Sequence, residues 1–298
     1  MFKIVPNLWF DKEAEEAARF YCNAIPGSRI NSLVVLRDTP SGDCDLVSFE
    51  LAGQPFMAIS AGPLFKFNPS TSFILNFDPS QGRTRQDLEA LWNKLLPGGS
   101  VLMPLQAYPF APLYGWIQDR YGLSWQLILS DPGGEARPFI TPALLFVGEV
   151  CGKAEEAQDF YTSVFPNARR GATMRYPAGM APEREGTLMY SEFMLAGQWF
   201  AAMDSAYPHN FAFNEAISFM IYCDTQAEID HYWTRLSAVP EAEQCGWLKD
   251  RYGLSWQVVP RALEQMLQDP DPERVNRVNQ AVLQMKKLEL AELQKAYA

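Results

Sequence analysis

The sequence predicts an α+β protein of two tandem domains, each made of paired β-α-β-β-β modules, with a helical extension at the C-terminus. Three observations predict it: a segment that is written twice, a hydrophobic period that switches between strand and helix spacing, and a composition suited to packed cores. The chain has 298 residues, 48% hydrophobic and 20% charged, enough for one large domain or two of about 150 residues each. Its 35 acidic and 25 basic residues leave a formal charge of −10. No basic run offsets that charge, so nucleic acid is not an expected partner. Cys22, Cys44, Cys151, Cys223 and Cys245 are scattered with no C-x-x-C pair. That pattern reads as reduced thiols, mostly small buried apolar residues, and as neither a disulfide framework nor a zinc knuckle. Lys3, Asp11, Glu13 and Glu15 deny the N-terminus the apolar core of a signal peptide, and a cytoplasmic location is the expectation.

The repeat sets the organisation. Asp119 to Gln126, DRYGLSWQ, returns unchanged at Asp250 to Gln257, and Gly115-Trp116 is matched by Gly246-Trp247. Other anchors recur in the same order: Phe20-Tyr21 with Phe160-Tyr161, Ala52-Gly53-Gln54 with Ala196-Gly197-Gln198, and Ser72-Phe73 with Ser218-Phe219. The expected domains are 1–130 and 139–260, joined by a linker at 131–138, DPGGEARP, and followed by a C-terminal extension at 261–298.

Within the first copy, Ile4 to Phe10 is an apolar run of strand length. A helix follows, because Ala14, Ala17, Ala18 and Tyr21 fall at i, i+3, i+4 and i+7. Ile30 to Leu36, Leu46 to Leu51 and Phe56 to Ser60 read as strands, separated by turn signals at Ser41-Gly42 and Gly53. After a strand at Ser72 to Phe77, a second helix carries Leu88, Leu91, Trp92 and Leu95 on one face. Its twin carries Ile229, Tyr232, Trp233 and Leu236, and Thr225 with Glu228 forms a capping box at its start. Leu95 to Gln118 is charge-free, but Pro97, Pro104, Pro109 and Pro112 break any membrane-spanning helix, so this stretch reads as an apolar loop system with a strand near Val101. Trp116 to Leu129 is a strand pair folded at Gly122. In the tail, Asp271 and Pro272 have the chemistry of a helix start, and Val275, Val278, Val282 and Met285 continue at helical spacing, so one amphipathic helix packed on a domain is expected.

Paired modules that end in D-x-x-G-x-x-x-[E/Q] resemble the vicinal oxygen chelate superfamily of glyoxalases, bleomycin-resistance proteins and extradiol dioxygenases. PNLWFD at Pro6 to Asp11, the two GW-x-x-DRYGLSWQ segments and MKKLELAEL at Met285 to Leu293 resemble its PhnB-like branch, whose domains are also labelled 3-demethylubiquinone 3-methyltransferase. The resemblance implies a curved mixed sheet enclosing a cavity in each domain. It also implies, in metal-dependent members, ligands on the first and fifth strands and a glutamate at the last motif position. At those positions the first copy carries Asn7, Ser72 and Gln126, and the second Ala143, Ser218 and Gln257. Neutral amides and hydroxyls cannot repay the dehydration of a divalent ion, so no metal and no other cofactor is expected.

The hairpin motif itself is architectural: Asp opens a tight turn, Gly supplies positive φ, and Trp anchors the next strand. Gln126 and Gln257 are amides inside apolar strands and must find partners. With Asn7, Trp9, Ser72 and Ser218 they are the candidates for lining a ligand cavity. Glu50 and Glu192, on alternating strands, read as solvated. Asp204, Ser205 and His209 lack a G-x-S-x-G elbow, and no G-x-G-x-x-G follows a strand to cradle S-adenosylmethionine. No catalytic residue is assigned. The leading expectation is binding of a small organic molecule without metal chemistry. A metal-dependent lyase, isomerase or oxygenase, and a non-catalytic pseudo-dimeric scaffold in which the two copies pair, stay open as alternatives, with a homodimer as a further option.

Overall fold

The computed structural model describes residues 3–130 and 135–298; positions 131–134 of the expected linker lie outside the described residues. The first module is β1 (Ile4–Phe10), α1 (Ala14–Ala24), β2 (Arg29–Thr39), β3 (Gly42–Leu51) and β4 (Gln54–Ser60). The second is β5 (Thr71–Phe77), α2 (Arg85–Leu95), β6 (Ser100–Tyr108), β7 (Ala111–Gln118) and β8 (Ser124–Leu129), and the third is β9 (Ile140–Phe146), α3 (Ala154–Val164), β10 (Arg169–Arg175), β11 (Leu188–Leu195) and β12 (Gln198–Asp204). The fourth is one strand shorter: β13 (Ile217–Cys223), α4 (Gln226–Leu236), β14 (Trp247–Lys249) and β15 (Ser255–Pro260). Where its second strand is expected, Pro240 opens a single 3₁₀ turn, and the segment SAVPEAEQ has no alternating apolar face to bury.

The strands form two mixed sheets, and neither is made from one repeat. The seven-stranded sheet runs β14-β15-β13-β1-β4-β3-β2, and the eight-stranded sheet runs β10-β11-β12-β9-β5-β8-β7-β6. The first sheet therefore joins modules one and four, and the second joins modules two and three. The junctions are antiparallel: β1 pairs with β13, Asn7 opposite Ser218, and β5 pairs with β9, Ser72 opposite Ala143. Two compact units follow the sheets. One comprises residues up to Cys22, Gly27–Lys66 and Phe213–Ala298; the other comprises Asn23–Pro26 and Phe67–Ala212. The joint between the repeats thus connects β8 and β9 of one sheet, while the chain passes between units near Lys66 and Ala212.

Helices pack on both sheets. α4 packs on β13, β14 and β15, α2 on β5 and β8, and α3 on β10, β11 and β12. Leu88, Leu91, Trp92 and Leu95 are all buried, as the helical spacing requires, and Thr84 closes a complete capping box with Asp87. Thr225 accepts from the Glu228 N–H at 3.2 Å, while the Glu228 carboxylate accepts from the Asp224 N–H at 2.6 Å.

The charge-free stretch is a hairpin, β6 and β7, and not a loop system. β6 lies at the sheet edge, where Pro104 removes no needed ladder bond, and its register slips at three places. The tail is three helices in place of one: α5 (Arg261–Leu267), α6 (Pro272–Leu283) and α7 (Leu290–Tyr297). Asp271 caps α6 through the Glu273 N–H. Val278 is fully buried, with Val282 and Met285 packed beside it on a cluster that includes Val5, Met57, Met220, Tyr222 and Val259 of the seven-stranded sheet.

Candidate ligand cavity

The repeated motif is a staple. Asp119 Oδ1 accepts from the Tyr121 and Leu123 N–H groups at 2.8 and 3.1 Å, and its Oδ2 accepts from the Trp125 indole at 2.8 Å. Asp250 repeats the arrangement with Tyr252, Leu254 and Trp256 at 2.8, 3.1 and 2.9 Å. Gly122 and Gly253 turn the hairpins at φ 85° and 86°, where a Cβ would strain the backbone. Each anchored indole packs on the phenylalanine of the neighbouring parallel strand, Trp125 on Phe73 and Trp256 on Phe219, at 5.5 and 5.6 Å. The effect is to fix the strand that presents the glutamine on the opposite face.

In the seven-stranded unit that opposite face lines a cavity of about 730 Å³, within the range of small-molecule sites. Asn7, Trp9 and Gln257 all line it. Gln257 Nε2 donates to Ser218 Oγ at 2.9 Å, and Ser218 stands opposite Asn7 in the ladder, so the three form one row. Asn7 is only 3% exposed, and its Nδ2 has no hydrogen-bond partner among the described residues. A buried donor left unmatched costs about 1–3 kcal/mol. Along one wall Trp9 meets Phe65 and Trp247 edge to face at 5.1 and 5.9 Å, with its indole N–H held by the Gly62 carbonyl at 2.8 Å. Met57, Met220 and Tyr222 complete the sheet wall, and Leu263, Glu264 and Leu267 of α5 reach it from the tail. Burial pushes the Tyr222 hydroxyl well up, with the Glu264 charge acting in the same direction.

The other two candidates lie elsewhere. Ser72 and Gln126 belong to the eight-stranded sheet, opposite Ala143 and away from Asn7 in the pairing. There Gln126 Nε2 donates to Ser72 Oγ at 2.8 Å, and the Tyr114 hydroxyl donates to Gln126 Oε1 at 2.7 Å, so both ends of the amide are used. The position of Tyr114 in the repeat is Cys245 in the other unit, and that of Tyr190 is Leu46. Tyr190 packs on Ile74, Ala143 and Ala201, and burial raises its hydroxyl far above the usual range. Glu192 is not solvated: it accepts from Arg137 at 2.7 Å and from the Tyr190 hydroxyl at 3.0 Å.

Sequence reasoning missed Tyr222 and Met220, although they follow Ser218 at strand period two, and it missed the whole contribution of α5. Glu264 carries no signal of its own, since only the fold returns the tail to the sheet. Around Ser205, His209 Nε2 lies 3.0 Å from Oγ, and the hydroxyl also donates to Glu183 at 2.9 Å. This places the carboxylate on the serine and not behind the histidine, unlike a hydrolase triad. Among the described residues no group of three His, Cys, Asp or Glu side chains is placed to hold a metal. The rows Asn7, Ser218, Gln257 and Ala143, Ser72, Gln126 do not fit a divalent ion, since none of their donors is charged.

Paired modules, mixed sheets and the twice-built amide row give the α+β fold that the resemblance to the vicinal oxygen chelate superfamily implies. A family model described as 3-demethylubiquinone-9 3-methyltransferase matches residues 2–128 and again 138–259; the chain belongs to that family. A Bacillus cereus protein described as a 3-demethylubiquinone-9 3-methyltransferase, PhnB protein, is 34% identical over 43% of this chain and 100% of its own, with a TM-score of 0.39. A Pseudomonas aeruginosa protein is 27% identical over 44% of this chain and 98% of its own, with a TM-score of 0.37. Glyoxalase I from Zea mays is 12% identical over 88% of this chain and 94% of its own, with a TM-score of 0.52, a likeness of fold alone. No curated protein matches the chain.

Proposed function

We propose that the protein binds a small organic molecule in the cavity of the seven-stranded unit and does so without a bound metal. The observation that carries this reading is the Asn7 amide: a buried N–H donor with no partner among the described residues, lining a large, mostly apolar space. Such a donor is costly to an empty protein and useful to one whose ligand brings an acceptor oxygen. The neutral donor set supports the metal-free part. Comparison of the units supports the choice of cavity, because tyrosines occupy in one unit the positions that Cys245 and Leu46 hold in the other. Assembly of each sheet from both repeats supports an intramolecular pseudo-dimer.

The test is a thermal-shift screen of small organic molecules against the wild type and Leu46→Tyr, which imports the side chain found at Tyr190. Ligands of the cavity should raise the wild-type melting temperature and lose most of that shift in the variant. Equal shifts in both proteins would place binding elsewhere. Elemental analysis of protein purified without chelators should find far less than one metal per chain. A stoichiometric metal would replace this reading with the metal-dependent lyase, isomerase or oxygenase.

A further inference from the structure

We infer that the ligand is a flat organic cation whose counter-charge is Glu264, a residue of the C-terminal tail. This rests on the cavity being the ligand site. Among the described residues the lining includes no lysine, arginine or histidine, so an anionic ligand would enter with no counter-charge to repay its dehydration. It does include three carboxylates, Glu215, Glu241 and Glu264. Glu215 is already matched by Lys249 at 2.8 Å, and Glu241 is exposed. Glu264 is half-buried and has no ion-pair or hydrogen-bond partner among the described residues. The nearest candidate on its own helix, Arg261, is committed: it pairs with Asp224 at 3.1 Å and lies over the Tyr222 ring at 5.1 Å.

The aromatic wall points the same way. Trp9, Phe65 and Trp247 meet edge to face, which leaves ring faces for a planar guest, and the faces of such rings attract positive charge. Tyr222, which lines the cavity with Glu264, has a hydroxyl with no hydrogen-bond partner among the described residues. A ring held against the indoles with its charged nitrogen toward α5, and an acceptor oxygen toward Asn7, matches both the Glu264 carboxylate and the Asn7 amide. It also makes the tail part of the site.

The experiment is a calorimetric titration of the full chain at pH 7 with three probes that share a naphthalene ring: 2-naphthylmethylamine as the cation, 2-naphthylmethanol as the neutral form and 2-naphthoate as the anion. The amine should bind about tenfold more tightly than the alcohol, and the naphthoate most weakly. Glu264→Gln should bring the amine to within about threefold of the alcohol and leave the alcohol unchanged, while Glu241→Gln should keep the wild-type preference. Equal binding of amine and alcohol in the wild type overturns the charge assignment and leaves the cavity reading intact. A preference that survives Glu264→Gln, or that disappears only in Glu241→Gln, overturns the role of Glu264. Failure of all three probes to bind overturns the cavity reading along with this one.

Discussion

Asp119 and Asp250 account for the identity of the repeated segment in physical terms, since each carboxylate holds two backbone N–H groups and one indole in a buried place. Asp119→Ala leaves three donors without their acceptor, at about 1–3 kcal/mol each before water relieves any of them. Chemical denaturation should register a loss of roughly 3–5 kcal/mol, with Asp119→Asn losing less; a loss under about 1 kcal/mol would mean the staple carries little. The demand for partners on Gln126 and Gln257 was legible in the sequence, because an amide in an apolar strand has no other way to be stable. What the sequence could not reveal is which strand faces which: a repeat records common origin, and the antiparallel pairing of β1 with β13 is decided by tertiary folding. Asn7 therefore shares its row with Ser218 and Gln257, and not with Ser72 and Gln126. A ligand graft tests this. The variant Asn7→His, Ser218→His, Gln257→Glu should bind about one zinc, with affinity falling below about pH 6.5 as the imidazoles protonate. The variant Asn7→His, Ser72→His, Gln126→Glu should not. Calorimetry that found the opposite would mean the rows are misassigned.

At the scale of elements, periodicity located both kinds of regular structure well wherever a buried face existed, as in α2 and β1. It failed where context overrides pattern: the proline-bearing β6 survives because it is an edge strand, and the tail breaks into three helices because each packs a short apolar stripe on the sheet and its neighbours. Deletion after Asp269 removes Val278, Leu288 and Leu293 from the cluster over the cavity. It should lower the melting temperature by several degrees and weaken any cavity ligand; an unchanged melt would mean α6 and α7 are not part of the fold's stability. A single contact gives this closure a pH dependence. The Tyr297 hydroxyl donates to the Asp269 carboxylate, and that bond holds the carboxyl below its ordinary 3.8, while the same bond raises the Tyr297 hydroxyl above its ordinary 10.0. The depressed carboxyl contributes stability above the unfolded value, which is lost as pH falls through the folded one. The raised hydroxyl contributes below its unfolded value and loses that as pH rises through the folded one. The melting difference between wild type and Tyr297→Phe should be constant through neutral pH and shrink below about pH 4. A difference that does not change with acid would assign the contact no role.

For the whole molecule, the partition of the chain is where sequence and structure speak of different things. The repeat divides it at 131–138, yet each sheet takes one module from each side of that joint, with modules one and four in one sheet and two and three in the other. The separation of repeats in sequence is thus compatible with units that neither repeat supplies alone. Whether 1–130 and 139–260 are independent folding units has a direct test, because the joint carries Pro, two glycines and charge, the composition that proteases reach first. Tyr176 to Arg184 is held by Glu183, whose carboxylate accepts from Ser205 and from the Ala206 N–H, and the joint is held at Arg137 by Glu192, so a first cut is expected at 131–138 or in Tyr176 to Arg184, before any cut in the sheets. Nicked chain should then run as one species on gel filtration without denaturant, since separating the pieces would strip β1 from β13 and β5 from β9. It should fall into two pieces only in denaturant. Residues 1–130 expressed alone should lack the cooperative melt of the full chain, because β1 and β5 would each lose the strand that closes their sheet. A monomeric 1–130 fragment with a sharp melt, or nicked halves that separate in native buffer, would establish the repeat as the folding unit and overturn the exchange of modules between sheets.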